Sequence, residues 1–537
     1  MRNRRSNPNS GRTAGMSRRA FLVTLLAGTG GTVAAMMTER RLGAALRPDV
    51  ARAAALSASQ AGPDDVVEIA LATQEVEWEL APGKRVTALA YDGRVPGPEL
   101  RVREGQRLRV TLTNQLTTPT TIHWHGVDVP NAMDGVPDLT QPAVQPGASF
   151  SYEFDARPAG TRWFHTHFAS TEQLDRGLYA PLIIEPATPE AAPPDREYTL
   201  VFGAWVTGQS APVPDPNSGG MMGSGSGGGM GSVGMMGPGG MMGPGGMMGP
   251  SSGRGNGMMA SANDPAYDSF TVNGKAFPAT APLTVAEGER VRLRLINASG
   301  ARTHLIHLEG HRLRVTHTDG NAIEAPVEVD VIPIAPAERY DVELTASRPG
   351  VWSLHDLAPG QTEAGLRVPV VYAGQEGQTE ASLRTSAGGL QRWSYGLGRG
   401  VDRLPTPSGA TRQFPLTLSG GMMGSDAWTI NDQVYPATDP LWVGPGDLVR
   451  LRLFNMSMQN HPMHLHGFSF RLTQIGGRAL DVPLIKDVVD LQPMERAELE
   501  FVADNPGDWM FHCHKPMHMD GGMVTLVRYR ATGTGSG

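Results

Sequence analysis

The sequence predicts an all-β chain of three β-sandwich domains, and three observations carry that expectation. A strand-forming segment recurs at residues 97–114, 281–297 and 439–455. Each copy passes a turn at Glu104-Gly105, Glu287-Gly288 or Pro445-Gly446, alternates apolar and charged residues, and ends in Asn114, Asn297 or Asn455. Alternation of period two is the pattern of half-buried strands. Later in each copy a glycine turn leads into a strand with a tryptophan: Gly160-Thr161-Arg162-Trp163-Phe164, Gly350-Val351-Trp352-Ser353-Leu354 and Gly507-Asp508-Trp509-Met510-Phe511. A histidine follows each: His165, His355 and His512. No segment carries a long helical period, so three repeats of a strand-rich unit imply three sandwiches.

The chain opens with Ser17-Arg18-Arg19-Ala20-Phe21-Leu22 and an apolar run rich in glycine and alanine that extends to Met37. This is the pattern of a twin-arginine export signal, an address and not an anchor. The run is short and glycine-interrupted for a bilayer span, so the expectation is no stable membrane insertion. The export machinery is an expected partner, and the periplasm or the cell exterior is the expected location. Residues 1–61 are assigned to the signal and a flexible N-terminus, with cleavage near Ala61 and no core fold in residues 40–63. The domains are placed at residues 66–187, 196–376 and 412–531, with linkers at 189–194 and 396–407.

The second domain contains an insert at residues 217–262, including Gly234-Met235-Met236-Gly237-Pro238-Gly239-Gly240-Met241-Met242-Gly243-Pro244 and the pairs Met221-Met222, Met247-Met248 and Met258-Met259. A shorter version stands at Gly420-Gly421-Met422-Met423-Gly424. The glycine, proline and serine content predicts a flexible loop. Exposed methionines on a coil have no packing rationale, whereas neutral thioethers are soft ligands that suit Cu(I). The net charge of −7 leaves no basic footprint for nucleic acid. A single cysteine excludes an internal disulfide.

That cysteine lies in His512-Cys513-His514-Lys515-Pro516-Met517-His518-Met519-Asp520-Gly521-Gly522-Met523. One thiolate, two imidazoles and a weak thioether make an electron-transfer copper site. Cys513, His518 and Met523 supply three of these ligands, and a distant histidine must supply the fourth. On an extended chain His512 and His514 face away from Cys513, toward a second centre. The repeat frame then sorts the 15 histidines. His461, His464 and His466 of the third copy align with Thr120, His123 and His125 of the first. His512-Cys513-His514 aligns with His165-Thr166-His167, so the first copy has no thiolate. The second copy has His304, His307 and Glu309, then His355-Asp356-Leu357, and is expected to be a spacer whose site has decayed to ordinary polar packing. The first and third copies together offer eight imidazoles in two-fold array, too many for one metal. Zinc is an alternative for the imidazoles alone, but the thiolate and thioether favour copper.

At these four histidine motifs the sequence resembles the three-domain multicopper oxidases, the laccase and cuprous oxidase family, over nearly all the chain from residue 66. The resemblance implies cupredoxin-like Greek-key sandwiches and four copper ions. It implies a type 1 copper on His461, Cys513 and His518 with Met523 axial, and a type 2 copper on His123 and His464. It further implies a type 3 pair on His125, His165, His167, His466, His512 and His514. Asp134 resembles the family's acidic residue beside the oxygen-reducing cluster. Met519 departs from the pattern, because many bacterial relatives have an acidic residue there. The implied activity is reduction of dioxygen to water at the expense of one-electron donors. Cu(I) is the expected donor, with phenols or aromatic amines as the alternative. A copper-sequestering protein without turnover is disfavoured, since storage needs no thiolate relay.

Overall fold

In the computed structural model the described residues are 56–57, 66–213, 265–421 and 425–530. The twin-arginine segment, the methionine-rich insert and Met422-Met423 lie outside them. The described residues fold almost entirely as strands in six sheets, two per repeat. α-Helix is confined to Ser170–Gln173 and Pro516–Asp520 among the described residues, and no helix there is long and apolar enough to cross a membrane. The all-β, cupredoxin-like expectation holds.

The second and third copies share one topology of a six-stranded and a five-stranded sheet, and the first is a shorter version with four strands where they have six. In each copy the opening strand runs parallel to the repeated one: Val66–Ala81 beside Arg107–Asn114, Arg196–Trp205 beside Arg290–Asn297, and Thr411–Gly420 beside Leu448–Asn455. The alternation explains which face packs. Leu108, Val110 and Leu112 are buried, while Arg107, Arg109 and Thr111 between them stay open to solvent. Side chains of a strand point to opposite faces in turn.

The asparagine that ends each repeated strand is buried and holds the following loop. Asn114 Nδ2 donates to the carbonyls of Thr118 and Val144, Asn297 Nδ2 to Arg302 and Ile334, and Asn455 Nδ2 to Gln459 and Leu491. A buried side-chain amide that satisfies two carbonyls replaces hydrogen bonds the turn itself cannot make. These loops lead directly into the first histidine motif of each copy. The repeat tryptophans anchor the other motif. Trp352 and Trp509 each donate Nε1–H to the carbonyl four residues earlier, of Arg348 and Asn505.

Cross-strand register brings the two motifs of a copy together. His123 pairs with His165, His307 with His355 and His464 with His512. One departure lies before the first domain. Residues 40–63 were expected to carry no core fold, but Leu56–Ser57 pairs in parallel with Leu100–Arg101. Two residues give no periodic signal, and sheet-edge pairing uses only backbone groups.

Candidate metal centre

Two separate constellations of metal-type donors form from the predicted residues. The first comprises His461, Cys513 and His518, all buried. Cys513 Sγ lies 3.6 Å from His461 Nδ1 and 3.5 Å from His518 Nδ1, and the two Nδ1 atoms are 3.1 Å apart. The far nitrogens fix the tautomers. His518 Nε2–H donates to Gln459 Oε1 at 2.9 Å, and His461 Nε2 meets Ser457 Oγ at 2.6 Å. The Ser457 hydroxyl can itself donate to Asn455 Oδ1 or the Gln459 carbonyl, so it accepts from His461. Both Nδ1 lone pairs therefore face each other and the sulfur, an arrangement that calls for a cation. Trp428 stacks on His518 at 3.7 Å between ring centres. Met523 is buried, and its carbonyl accepts from Cys513 N–H at 3.1 Å.

The second constellation lies between the first and third repeats and holds His123, His125, His165, His167, His464, His466, His512 and His514, all buried. Donor atoms converge in three groups: His123, His125 and His464; His125, His165 and His514; His167, His466 and His512. His464 Nε2 is 3.4 Å from His123 Nε2, and His466 Nε2 is 2.9 Å from His512 Nε2. The outer nitrogens donate to carbonyls: His165 Nδ1 to Thr166, His464 Nδ1 to Asp487 and His512 Nδ1 to Cys513. Asp134 serves two rings. Its Oδ2 accepts from His466 Nδ1 at 2.9 Å, and its carbonyl accepts from His123 Nδ1 at 2.9 Å.

The residues fit the copper ions that the family resemblance implies. His125 Nδ1, His165 Nε2, His167 Nε2 and both ring nitrogens of His514 are buried without a hydrogen-bond partner. Such atoms are costly in a dry interior unless a ligand takes them. Burial first, and neighbouring imidazoles or Lys515 second, hold His125, His464, His466, His461 and His518 well below the ordinary histidine value. Burial brings His512 down to about 4. Neutral imidazole is the form that binds a metal.

The copies without a thiolate show what replaces it. At the place of His461, Cys513 and His518, the first copy has Thr120, Thr166 and Gln173, joined by Thr120 Oγ1–Gln173 Oε1 and Thr166 Oγ1–Gln173 Oε1 bonds of 2.9 and 2.8 Å. The same place in the second copy has His304, Asp356 and Gln361, with His304 Nδ1 at 2.8 Å from Asp356 Oδ2 and 2.7 Å from Gln361 Oε1.

The structure adds residues that sequence reasoning missed. Asp487 Oδ1 accepts from His125 Nε2 at 3.1 Å, which turns Nδ1 of that ring toward the cluster. Arg339 of the second repeat grips the same carboxylate at 2.6 and 2.7 Å. Gly126, at φ +75°, leaves the space for this ion pair, since a Cβ there would stand 2.5 Å from Arg339 Nη2. Gly135, at φ +81°, is equally constrained, because a Cβ would meet the Ile122 carbonyl at 1.8 Å; this turn aims Asp134 inward. The available signal for Asp487 was a charged pair, Lys486-Asp487, inside the apolar run Leu484-Ile485 and Val488-Val489. Ser457 and Gln459 were also missed, as were Met456 and Met458 beside them.

Three family models, each described as multicopper oxidase, match residues 72–189, 250–368 and 409–532. The chain is 32% identical to the multicopper oxidase MmcO of Mycobacterium tuberculosis, over 83% of this chain and 84% of that protein. It is 26% identical to a copper resistance protein A homolog of Pseudomonas syringae pv. tomato, over 83% and 90%. Among solved structures, a multi-copper oxidase from Pseudomonas thermotolerans aligns with TM-score 0.64 at 27% identity, covering 87% of this chain and 100% of that one. A laccase from Botrytis aclada shares the fold, with TM-score 0.65 at 21% identity over 87% and 89%.

Proposed function

The chain belongs to the multicopper oxidase family, and from that premise we propose that it oxidises Cu(I) to Cu(II) with dioxygen as acceptor, as an exported enzyme of copper tolerance. His461, Cys513, His518 and Met523 would hold a type 1 copper; His123 and His464 a type 2 copper; and His125, His165, His167, His466, His512 and His514 a type 3 pair. Copper on these residues supplies four one-electron equivalents, the number that takes dioxygen to water. Cys513 is bonded through its backbone to His512 and His514, so a covalent bridge joins the two ligand sets. Asp134 orients His123 and His466 and, like Asp487, sets a carboxylate beside the cluster, where it would relay protons. The surrounding burial excludes water from both sets.

The observation that carries the Cu(I) reading is the loop before His461. Ser457 and Gln459 point inward onto the two type 1 imidazoles, and the alternate residues Met456 and Met458 are 52% and 50% exposed. Two thioethers thus face solvent one residue away from the groups that hold the donor site. Both outer imidazole nitrogens are capped by Ser457 and Gln459, and neither ring is more than 1% exposed, so a bulky phenol finds no imidazole edge to touch. The methionine pairs of residues 217–262 supply more thioethers, and one group of relatives is named for copper resistance.

The test compares donors on two variants, Met456→Leu/Met458→Leu and a deletion of residues 219–257. Each is expected to raise the apparent KM for Cu(I) by about tenfold, a loss of roughly 1.4 kcal/mol of thioether binding, and to leave phenol turnover equal or higher. Equal losses for both donors would mean a structural effect, and an unchanged Cu(I) KM in both variants would end the Cu(I) reading. The axial ligand has its own test. Met523→Leu should raise the type 1 reduction potential, because losing a weak donor destabilises Cu(II) more than Cu(I). A redox titration with unchanged or lower potential would remove Met523 from the ligand set.

A further inference from the structure

The second repeat carries donors that the copper assignment leaves unused. Because His307 pairs with His355 as His464 pairs with His512, the residues His307, Glu309 and His355 occupy the places of His464, His466 and His512. They are the half-cluster of the third repeat with a carboxylate in place of one imidazole. The distances follow the same plan. Glu309 Oε1 is 3.2 Å from His355 Nε2 and Oε2 is 3.6 Å from His307 Nε2, against 2.9 Å between His466 Nε2 and His512 Nε2.

Hydrogen bonds on the far side assign the tautomers. His307 Nδ1 lies 2.8 Å from the Asp330 carbonyl, which only accepts, so Nδ1 carries the proton. His355 Nδ1 lies 3.3 Å from Thr362 Oγ1. The Thr362 hydroxyl hydrogen is committed to the Asp356 carbonyl, so His355 Nδ1 also donates. A neutral ring then turns its Nε2 lone pair on Glu309 in both cases. Two lone pairs against one carboxylate repel unless a cation sits among them. Imidazoles with Nδ1–H fixed by an acceptor and Nε2 free are the usual metal-ligand form.

We propose that His307, Glu309 and His355 bind a single divalent ion of zinc type. Two imidazoles and a carboxylate are a zinc donor set that leaves a fourth position for water. The two histidines are buried and the Glu309 side chain is 12% exposed. His307 and Glu309 border a cleft of about 680 Å³ that also includes Arg312, Asp330 and Arg384, and His355 lies behind them. Leu357 stands where the third repeat has His514, which removes the ligand that would extend the site to a second metal. At His304 only Nδ1 is held, by Asp356 and Gln361, and the proposal departs from the spacer expectation at His307.

The test uses the copper-loaded full chain, equilibrated with a small excess of Zn²⁺, desalted, and analysed for zinc and copper together by mass spectrometry. One zinc per chain is expected beyond an unchanged copper content. Glu309→Gln and, separately, His307→Asn should lose that zinc and keep both the copper and the blue absorption. X-ray absorption at the zinc edge of the unmutated protein should show two imidazoles and oxygen, with no sulfur. The proposal is overturned if the unmutated protein retains no zinc, if zinc enters only as copper leaves, if sulfur scattering appears, or if both variants keep the zinc. No retained zinc would instead support a protonated imidazole paired with Glu309.

Discussion

Cys513→Ser is expected to abolish the blue absorption and the oxidation of every donor while the fold survives. Serine is smaller than cysteine and keeps the backbone bond to the Met523 carbonyl, so the strand Trp509–Cys513 retains its pairing. What disappears is the thiolate, the one ligand in 537 residues able to give a strong charge-transfer band. The covalent bridge to His512 and His514 loses its entry atom as well. The measurement is the visible spectrum with oxygen uptake at saturating donor, on protein whose circular dichroism matches the unmutated chain. Retained blue colour would sink the ligand assignment.

Asp487→Ala should have the second largest effect, on stability and on the cluster together. Its carboxylate balances Arg339 at 2.6 Å and stands 3.6 Å from Arg162, and all three side chains are buried. Removing one partner of a buried ion pair costs about 3–5 kcal/mol, of which Asp319, 3.6 Å from Arg339, offsets a part. The same change frees His125 Nε2 from its acceptor, so the ring no longer presents Nδ1 inward by constraint. The expected result is a chemical-denaturation midpoint well below that of the unmutated chain and a copper content short of four. The blue absorption should persist, since Asp487 touches none of His461, Cys513 or His518. Asp487→Asn, which keeps the volume, separates charge from packing. Full stability and full copper in both variants would contradict the role given to Asp487.

The clustered histidines were legible because they travel in pairs at fixed spacing on strands that repeat. Once His464 and His512 are placed by one copy, the frame places His123 and His165 in another. The asparagines and tryptophans carried the same information for the fold; the asparagine repeats because one buried hydrogen-bond pattern repeats in all three copies. Asp487 was not legible, because it lies 21 residues beyond His466 and reaches His125 only through the facing of two domains. Arg339 comes from a third, and no spacing rule links it to a histidine. The same limit hid the split inside the second repeat. His304, His307 and Glu309 stand together in the sequence, yet the side chain of His304 meets Asp356 while those of the other two meet His355. Met456 and Met458 are two of 26 methionines and stand out less than the methionine-rich insert; only the alternation Met456-Ser457-Met458-Gln459 links thioethers to His461 and His518.

The Cu(I) oxidase reading is tested most directly by oxygen uptake with Cu(I) as the only donor, at full copper loading and with acetonitrile present as a weak Cu(I) ligand to hold back chemical autoxidation. The expected result is saturable, enzyme-dependent uptake that consumes four Cu(I) ions per dioxygen, releases no hydrogen peroxide, and vanishes in Cys513→Ser. Steady phenol oxidation by the same preparation with no enzyme-dependent uptake on Cu(I) would contradict it.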